Sequence, residues 1–308
     1  MNGTTVSITG RCAEPADHTE GVASACRFIL NVTCASAQGQ VAAIVGFLDG
    51  LGCYIDEFSV FDDSETGRFF VRCAFHPPPP LRLERETLCE GFAPVARRFA
   101  FDWAIFDAGL RPKVLILVSR LDHCLVDLLH RQRMNELPID VVGVASNHRD
   151  LEPIARAQEI AFHHLPVSPE MKSSQEAALI ALIERSGAEL VILARYMQVL
   201  SAALCTRLAG RAINIHHSFL PGFKGARPYH QAYARGVKLI GATAHYVTGD
   251  LDEGPIIEQV VERVDHAYTP ERLLSAGRDM ERAALARAVK CVIERRVFIH
   301  EGRTVVLR

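Results

Sequence analysis

The chain has 308 residues, enough for two ordinary domains with a core each, and its 49% hydrophobic and 23% charged residues are the proportions of a folded globular protein. Its formal net charge is −2, with no basic stripe and no block of like charges, so neither nucleic acid nor an anionic membrane is expected as a partner. Nine cysteines, none in a C-x-x-C pair, point to reduced thiols in a cytoplasmic protein rather than to disulfides or a zinc site.

The first 26 residues lack a basic start followed by an apolar core, which argues against a secretory leader. Residues 1–25 fit no pattern and are expected to be an N-terminal extension. From there 27–33 alternates like a strand, 40–51 is helical, and 53–61 and 68–75 are strands across the turn Asp63-Ser64-Glu65-Thr66-Gly67. Pro77 to Pro80 break the chain before an amphipathic helix at 85–99 and a strand at 101–106. This βαββαβ order predicts a ferredoxin-like, split-βαβ domain over 26–108.

Gly109 and Pro112 mark the boundary to a second domain at 109–308. Strands are predicted at 113–118, 139–145, 160–165, 189–194 and 212–215, with helices near 122–134, 150–159, 172–186 and 200–208 between them. This alternation predicts an α/β, Rossmann-like domain with a mostly parallel sheet, whose sites form at the carboxyl ends of strands. Longer strands follow at 239–248 and 256–264, joined by 249–255, and a helix at 270–294 closes the domain. The longest apolar runs, such as 114–118, are far too short to span a bilayer.

Chemistry concentrates between residues 214 and 252. Asn214 and His216 lie two apart on one strand, so their side chains share a face, ~6.6 Å apart along it. Singly, an Asn beside a turn serves the backbone and a lone His is a hydrogen-bonded core residue. Together with Asp252, in the Asp250-Leu251-Asp252-Glu253-Gly254-Pro255 turn between strands, they supply an amide donor, an imidazole and a carboxylate for transferring or hydrolysing an acyl group. His216, His217, His245 and Asp252 also form a conceivable metal ligand set, but the H-E-x-x-H pattern is missing and no metal is expected. Ser218 has no G-x-S-x-G elbow around it and is better suited, with Pro221, to shaping the loop. The turn after the first sheet strand, Ser119-Arg120-Leu121-Asp122-His123, contains no glycine with which to wrap a phosphate or dinucleotide. Asp122 is placed to cap the helix that follows.

These segments resemble the formyltetrahydrofolate deformylases, a branch of the folate-dependent formyltransferase superfamily. The resemblance rests on Asn214-Ile215-His216-His217-Ser218-Phe219-Leu220-Pro221 and on Gly225-Ala226-Arg227-Pro228-Tyr229-His230. The Asp250 to Pro255 turn, Asp122-His123-Cys124-Leu125, Ala194-Arg195-Tyr196-Met197-Gln198-Val199-Leu200-Ser201 and Glu65-Thr66-Gly67-Arg68-Phe69-Phe70 agree as well. It implies an ACT-type regulatory domain followed by a formyltransferase-like catalytic domain, with Asn214, His216 and Asp252 catalytic. Tyr196, Met197, Val199, Leu200, Ser218 and His245 are implied as substrate-binding residues.

The implied reaction is hydrolysis of 10-formyltetrahydrofolate to formate and tetrahydrofolate, supplying formate for purine synthesis and balancing one-carbon folate pools. Asn214 and protonated His216 would donate to the oxyanion. Asp252 would orient the water, help deprotonate it and keep His216 charged. No cofactor is implied beyond the folate substrate, and a cytoplasmic homo-oligomer is expected. Glycinamide ribonucleotide formyltransferases resemble the chain at the same three residues but carry a glycine-rich phosphate loop where this chain has Ser119 to His123, which favours water as acceptor. Relatives also carry Asp-Arg-Pro-Gly where this chain has Ser36-Ala37-Gln38-Gly39, which weakens any expectation of effector control. Transfer to another amine, or folate binding without catalysis, are the alternative functions.

Overall fold

The structure, a computed structural model, describes residues 27–168, 170–222 and 228–308. The expected extension at 1–25 and the motif residues Gly225, Ala226 and Arg227 lie outside the described residues. The chain divides into two compact units, one running to Leu110 and the other from Arg111 to Ile293.

The first unit contains β1 (Phe28–Ala35), α1 (Gln40–Gly50), β2 (Tyr54–Asp63), β3 (Arg68–His76), α2 (Arg85–Phe99) and β4 (Asp102–Asp107). Its antiparallel sheet has the order β2-β3-β1-β4, that of a split βαβ unit. Phe28, Leu30, Val32 and Cys34 of β1 pack with Ile44 and Leu48 of α1 and with Leu88 and Phe92 of α2 in one core. Gly39 ahead of α1 has φ 89 and no side chain with which to cap. The Gln40 amide closes that end instead, donating to the Ala35 carbonyl at 2.6 Å and accepting from the Ala37 N–H at 3.0 Å.

Asn31 and Thr33, the alternate residues of β1, are buried although polar. Thr33 accepts from Arg68, whereas Glu294–Phe298 and Val305–Arg308, which group with this unit, supply a partner for Asn31. Asn31 Nδ2 donates to the Arg295 carbonyl at 2.8 Å, and Arg72 Nε to the Glu294 carbonyl at 2.8 Å. Glu57 takes two hydrogen bonds from Arg296, which, with the charges of Arg72 and Arg296, outweigh burial and hold its carboxyl at about 2. The sequence pattern assigned these C-terminal residues to the second domain. Contacts made across more than two hundred residues, which have no local signature, join them to the first unit.

The second unit is built on a seven-stranded sheet of order β11-β10-β9-β8-β5-β6-β7. Its strands are β5 (Lys113–Val118), β6 (Asp140–Ser146), β7 (Phe162–His164), β8 (Leu190–Leu193), β9 (Ala212–His216), β10 (Leu239–Tyr246) and β11 (Ile256–Arg263). The five from β9 to β7 are parallel, and β10 and β11 run antiparallel to their neighbours. Val114 to Val118 are fully buried, as a strand covered on both faces must be. Each such aliphatic side chain contributes about 2 kcal/mol. The connections carry α3 (His123–Arg133), α4 (Glu152–Ala157), α5 (Lys172–Ser186) and α6 (Ala202–Arg207). After β9 come α7 (Pro228–Arg235) and, beyond β11, α8 (Pro270–Ile293). The first strand, β5, lies between β6 and β8, so successive connections run outward both ways and leave a crevice at the strand carboxyl ends.

Three local expectations need correction. Asp122 stands at the N-cap of α3, but its side chain makes no capping hydrogen bond. The helix α7, which opens on Pro228, was not read from the sequence. A closing hairpin of β12 (Val297–His300) and β13 (Arg303–Val306) was also missed. Its turn residues Glu301 and Gly302, at φ 49 and 74, both take the left-handed conformation, where Asn or Asp usually gives the signal away. Among the described residues, no helix is long and apolar enough to cross a membrane.

Candidate active site

The carboxyl ends of β8 and β9 open into a cavity of about 610 Å³ whose lining includes Asn214, His216, His245 and Asp252. Strand register assembles this group. Antiparallel pairing of β9 with β10 sets His245 directly opposite Asn214 and Thr243 opposite His216. Thr243 ties down the loop after β9, donating to the Ser218 carbonyl at 2.9 Å and accepting from the Leu220 N–H at 3.1 Å.

Asp252 arrives from the turn between β10 and β11. That turn folds tightly because Gly254 lies against Tyr246, where an added Cβ would stand 1.7 Å from the Tyr246 carbonyl oxygen. Asp252 itself has φ 57, a left-handed conformation unfavourable for a residue with a side chain. The strain is retained where it delivers a carboxylate.

The carboxylate joins two imidazoles. Asp252 Oδ2 lies 3.2 Å from His216 Nδ1, and Oδ1 lies 3.7 Å from His245 Nε2. The hydrogen bond from His216 and the nearby His245 ring outweigh burial and hold the Asp252 carboxyl far below the usual carboxylate range. With Nδ1 of His216 committed to Asp252, its Nε2 is buried and has no hydrogen-bond partner. A buried ring nitrogen left open in a cavity is where a substrate atom would complete the set.

His245 is oriented from the other side. Its Nδ1 lies 2.8 Å from the Tyr246 carbonyl oxygen, which can only accept, so Nδ1 carries hydrogen. In the neutral ring Nε2 is then an acceptor for Asn214 Nδ2, 3.2 Å away. This fixes which end of the Asn214 amide is the donor, and its second N–H remains for a ligand. The sequence placed His245 among substrate contacts; it lines the cavity, where its contacts also support Asn214 and Asp252.

Tyr196, Met197, Val199 and Leu200 also line the cavity. Met197 and Val199 are exposed and Leu200 buried, an apolar wall at the mouth. The Tyr196 hydroxyl accepts from Gln175 Nε2 at 2.8 Å. Ser218 is not among the lining residues. It is buried, and its hydroxyl donates to the Gly222 carbonyl at 2.9 Å, so its part is to shape the loop. The glycine-free turn after β5 is likewise braced internally: Ser119 Oγ donates to Asn147 Oδ1 at 2.7 Å and accepts from the Met197 N–H at 3.0 Å.

A second polar cluster adjoins the first and was not found from the sequence. Glu281 of α8 is buried and takes His123 Nε2 at 2.8 Å on Oε2 and the Tyr229 hydroxyl at 3.3 Å on Oε1. Arg195 Nε lies 3.3 Å from Glu281 Oε2 but off a hydrogen-bonding line, so that contact is one of charge. Burial would raise the Glu281 carboxyl, but His123 and Arg195 outweigh it and hold it low. His217 bridges the clusters, its ring centroid 5.0 Å from that of His216 and 6.4 Å from that of Tyr229. Burial, with the charges of Arg195 and His216, pushes His217 down to about 4 and keeps it neutral. Among the described residues, His123, Cys124 and Glu281 alone group closely enough to suggest metal ligands. Burial pushes the Cys124 thiol up. A pattern search on the sequence misses this cluster because Glu281 sits within a continuous 24-residue helix.

A formyl transferase family profile matches residues 112–289, the second unit. A formyltetrahydrofolate deformylase of Corynebacterium sp. is 51% identical over 92% of this chain and 98% of its own. The chain belongs to the formyltetrahydrofolate deformylase family. A crystal structure of formyltetrahydrofolate deformylase from Burkholderia mallei, 61% identical, superposes with a TM-score of 0.87 over 92% of this chain and 100% of that one. Glycinamide ribonucleotide transformylase 1 from Symbiobacterium toebii shares the catalytic fold at 31% identity, covering 65% of this chain and 96% of that one with a TM-score of 0.60. The deformylase family thus shares its α/β formyltransferase fold with enzymes named for transfer.

Proposed function

We infer that this member of the deformylase family hydrolyses 10-formyltetrahydrofolate, and that Asn214, His216 and Asp252 carry the reaction. The observation that supports these roles best is the open His216 Nε2: buried, unpartnered, backed by an anionic Asp252 and flanked by the Asn214 amide.

The formyl oxygen sits where His216 Nε2 and the spare Asn214 N–H both reach it. Water attacks the carbon, negative charge gathers on that oxygen, and the two donors stabilise it, each by ~3 kcal/mol. Breaking the bond to N10 gives tetrahydrofolate, with one proton of the water on N10, and formate, with the other proton released. Asp252 anchors His216 through Nδ1 and orients the water. A carboxylate held so far below its ordinary range is a weak base, so orientation and charge are its main contributions. Met197, Val199 and Leu200 receive the apolar part of the folate, and no cofactor or metal takes part.

The first unit acts as an ACT-type domain, a reading its split-βαβ topology supports. Oligomer assembly is its role, and the formate released feeds purine synthesis in the cytoplasm.

The test is incubation of the full chain with 10-formyltetrahydrofolate alone. Formate released without an added amine supports hydrolysis. Turnover only when an amine is supplied would replace it with transfer, and binding without turnover would leave a folate-binding regulator.

A further inference from the structure

We propose that Arg195, held against Glu281 and His123, commits this site to water by occupying the place beside the formyl-activating pair where an amine-bearing acceptor would bind. The inference rests on the hydrolytic reading above. The fold does not exclude an acceptor by itself, because structures of glycinamide ribonucleotide transformylase share it. Side chains at the cavity wall must make the difference.

Three observations converge on Arg195. It follows β8 with φ 65, a conformation natural to glycine and strained for any residue with a side chain. A glycine there would be relaxed and would leave space, so a buried arginine is retained against a conformational cost. The residue is only 8% exposed and lines the cavity alongside His216, His217 and Tyr229.

Finally, Glu281, buried behind this wall, is engaged on both oxygens. His123 and Arg195 hold Oε2 and Tyr229 holds Oε1. The arrangement is tight: an added Cβ on Gly277 of α8 would stand 2.1 Å from the Tyr229 hydroxyl oxygen. A carboxylate in this position would otherwise hold the hydroxyl or ammonium group of a second substrate. Arg195 and His123 stand between it and such a group, and the guanidinium repels an approaching ammonium ion.

Transfer and hydrolysis differ only in the nucleophile. In transfer the amine nitrogen forms a new bond to the formyl carbon, the bond to N10 breaks, and the amine's proton passes to N10. Water does the same where no amine fits.

The experiment uses 10-formyltetrahydrofolate labelled in the formyl group, the full chain, and glycinamide or hydroxylamine in increasing concentration, with formate and the N-formyl product separated and counted. The parent should give formate whatever the amine. Arg195→Gly should raise the ratio of N-formyl product to formate by about tenfold or more, the scale on which pocket space discriminates small groups. Arg195→Met, which keeps the bulk, should stay close to the parent, and His123→Ser, which opens the cluster from α3, provides a second route to the shift. Circular dichroism establishes folding. An unchanged ratio in both Arg195→Gly and His123→Ser, failure of both to fold, or an equal shift in Arg195→Met would overturn the proposal. A parent that releases no formate would instead overturn the hydrolytic reading beneath it.

Discussion

Two carboxylate–histidine pairs lie in the same unit and have opposite characters. His216–Asp252 is delivered by a strand end and a strained turn, and it leaves His216 Nε2 unpartnered. His123–Glu281 joins the first residue of α3 to the middle of α8, and both Glu281 oxygens are taken up. Each joins an imidazole to a carboxylate, but the first leaves a buried ring nitrogen unpartnered and the second has both carboxylate oxygens engaged. The first pair is open to a ligand, and the second ties α3 to α8.

The largest effect that can break this contrast is on rate. His216→Ala removes a donor and the anchor of Asp252 together, and kcat should fall on the order of 10³-fold, while Asn214→Ala should cost about 10²-fold. Thermal unfolding of both should stay near that of the parent. Steady-state formate release and calorimetry measure the two quantities, and near-parental turnover in His216→Ala would remove the basis for its catalytic role. Gly254→Ala belongs with them although it touches no substrate. Its Cβ cannot fit against the Tyr246 carbonyl, so the turn must shift and carry Asp252 away, and kcat should drop by about 10²-fold.

The second pair should respond in the other currency. Glu281→Ala strands Arg195 and His123 as buried groups without their carboxylate, at a cost of about 3–5 kcal/mol of folding stability. Asp252→Asn, in a half-buried turn, should cost far less stability and far more activity. Equal destabilisation of the two variants in urea unfolding would erase the distinction.

The smallest effect is a pH dependence. His217 is held near 4 in the folded protein, below its ordinary value near 6.5. Between those values the unfolded chain binds a proton that the folded chain refuses, so stability falls as pH drops through that window. His217→Phe keeps the ring and removes the titration. Its unfolding free energy should therefore lose up to about 3 kcal/mol less than the parent's between pH 6.5 and 4, as followed by urea titration.

The gathering of Asn214, His216 and Asp252 was legible in the sequence, where a two-residue spacing on a strand and an acidic turn between strands mark their places. The same holds for β5, whose unbroken apolar run has no reading but a buried strand, and for the α/β order of the second unit. Hydrophobic periodicity also drew the βαββαβ pattern of the first unit. What the sequence does not write down is partnership. That His245 faces Asn214 follows from the register of β10 on β9, that Glu281 meets Arg195 from the packing of α8, and that Arg296 meets Glu57 from the return of the chain end. Each of these contacts joins residues separated by between 31 and 239 positions. Local pattern constrains φ and ψ and which face is apolar, but only folding brings distant polar groups within the few ångströms at which a hydrogen bond or an ion pair acts.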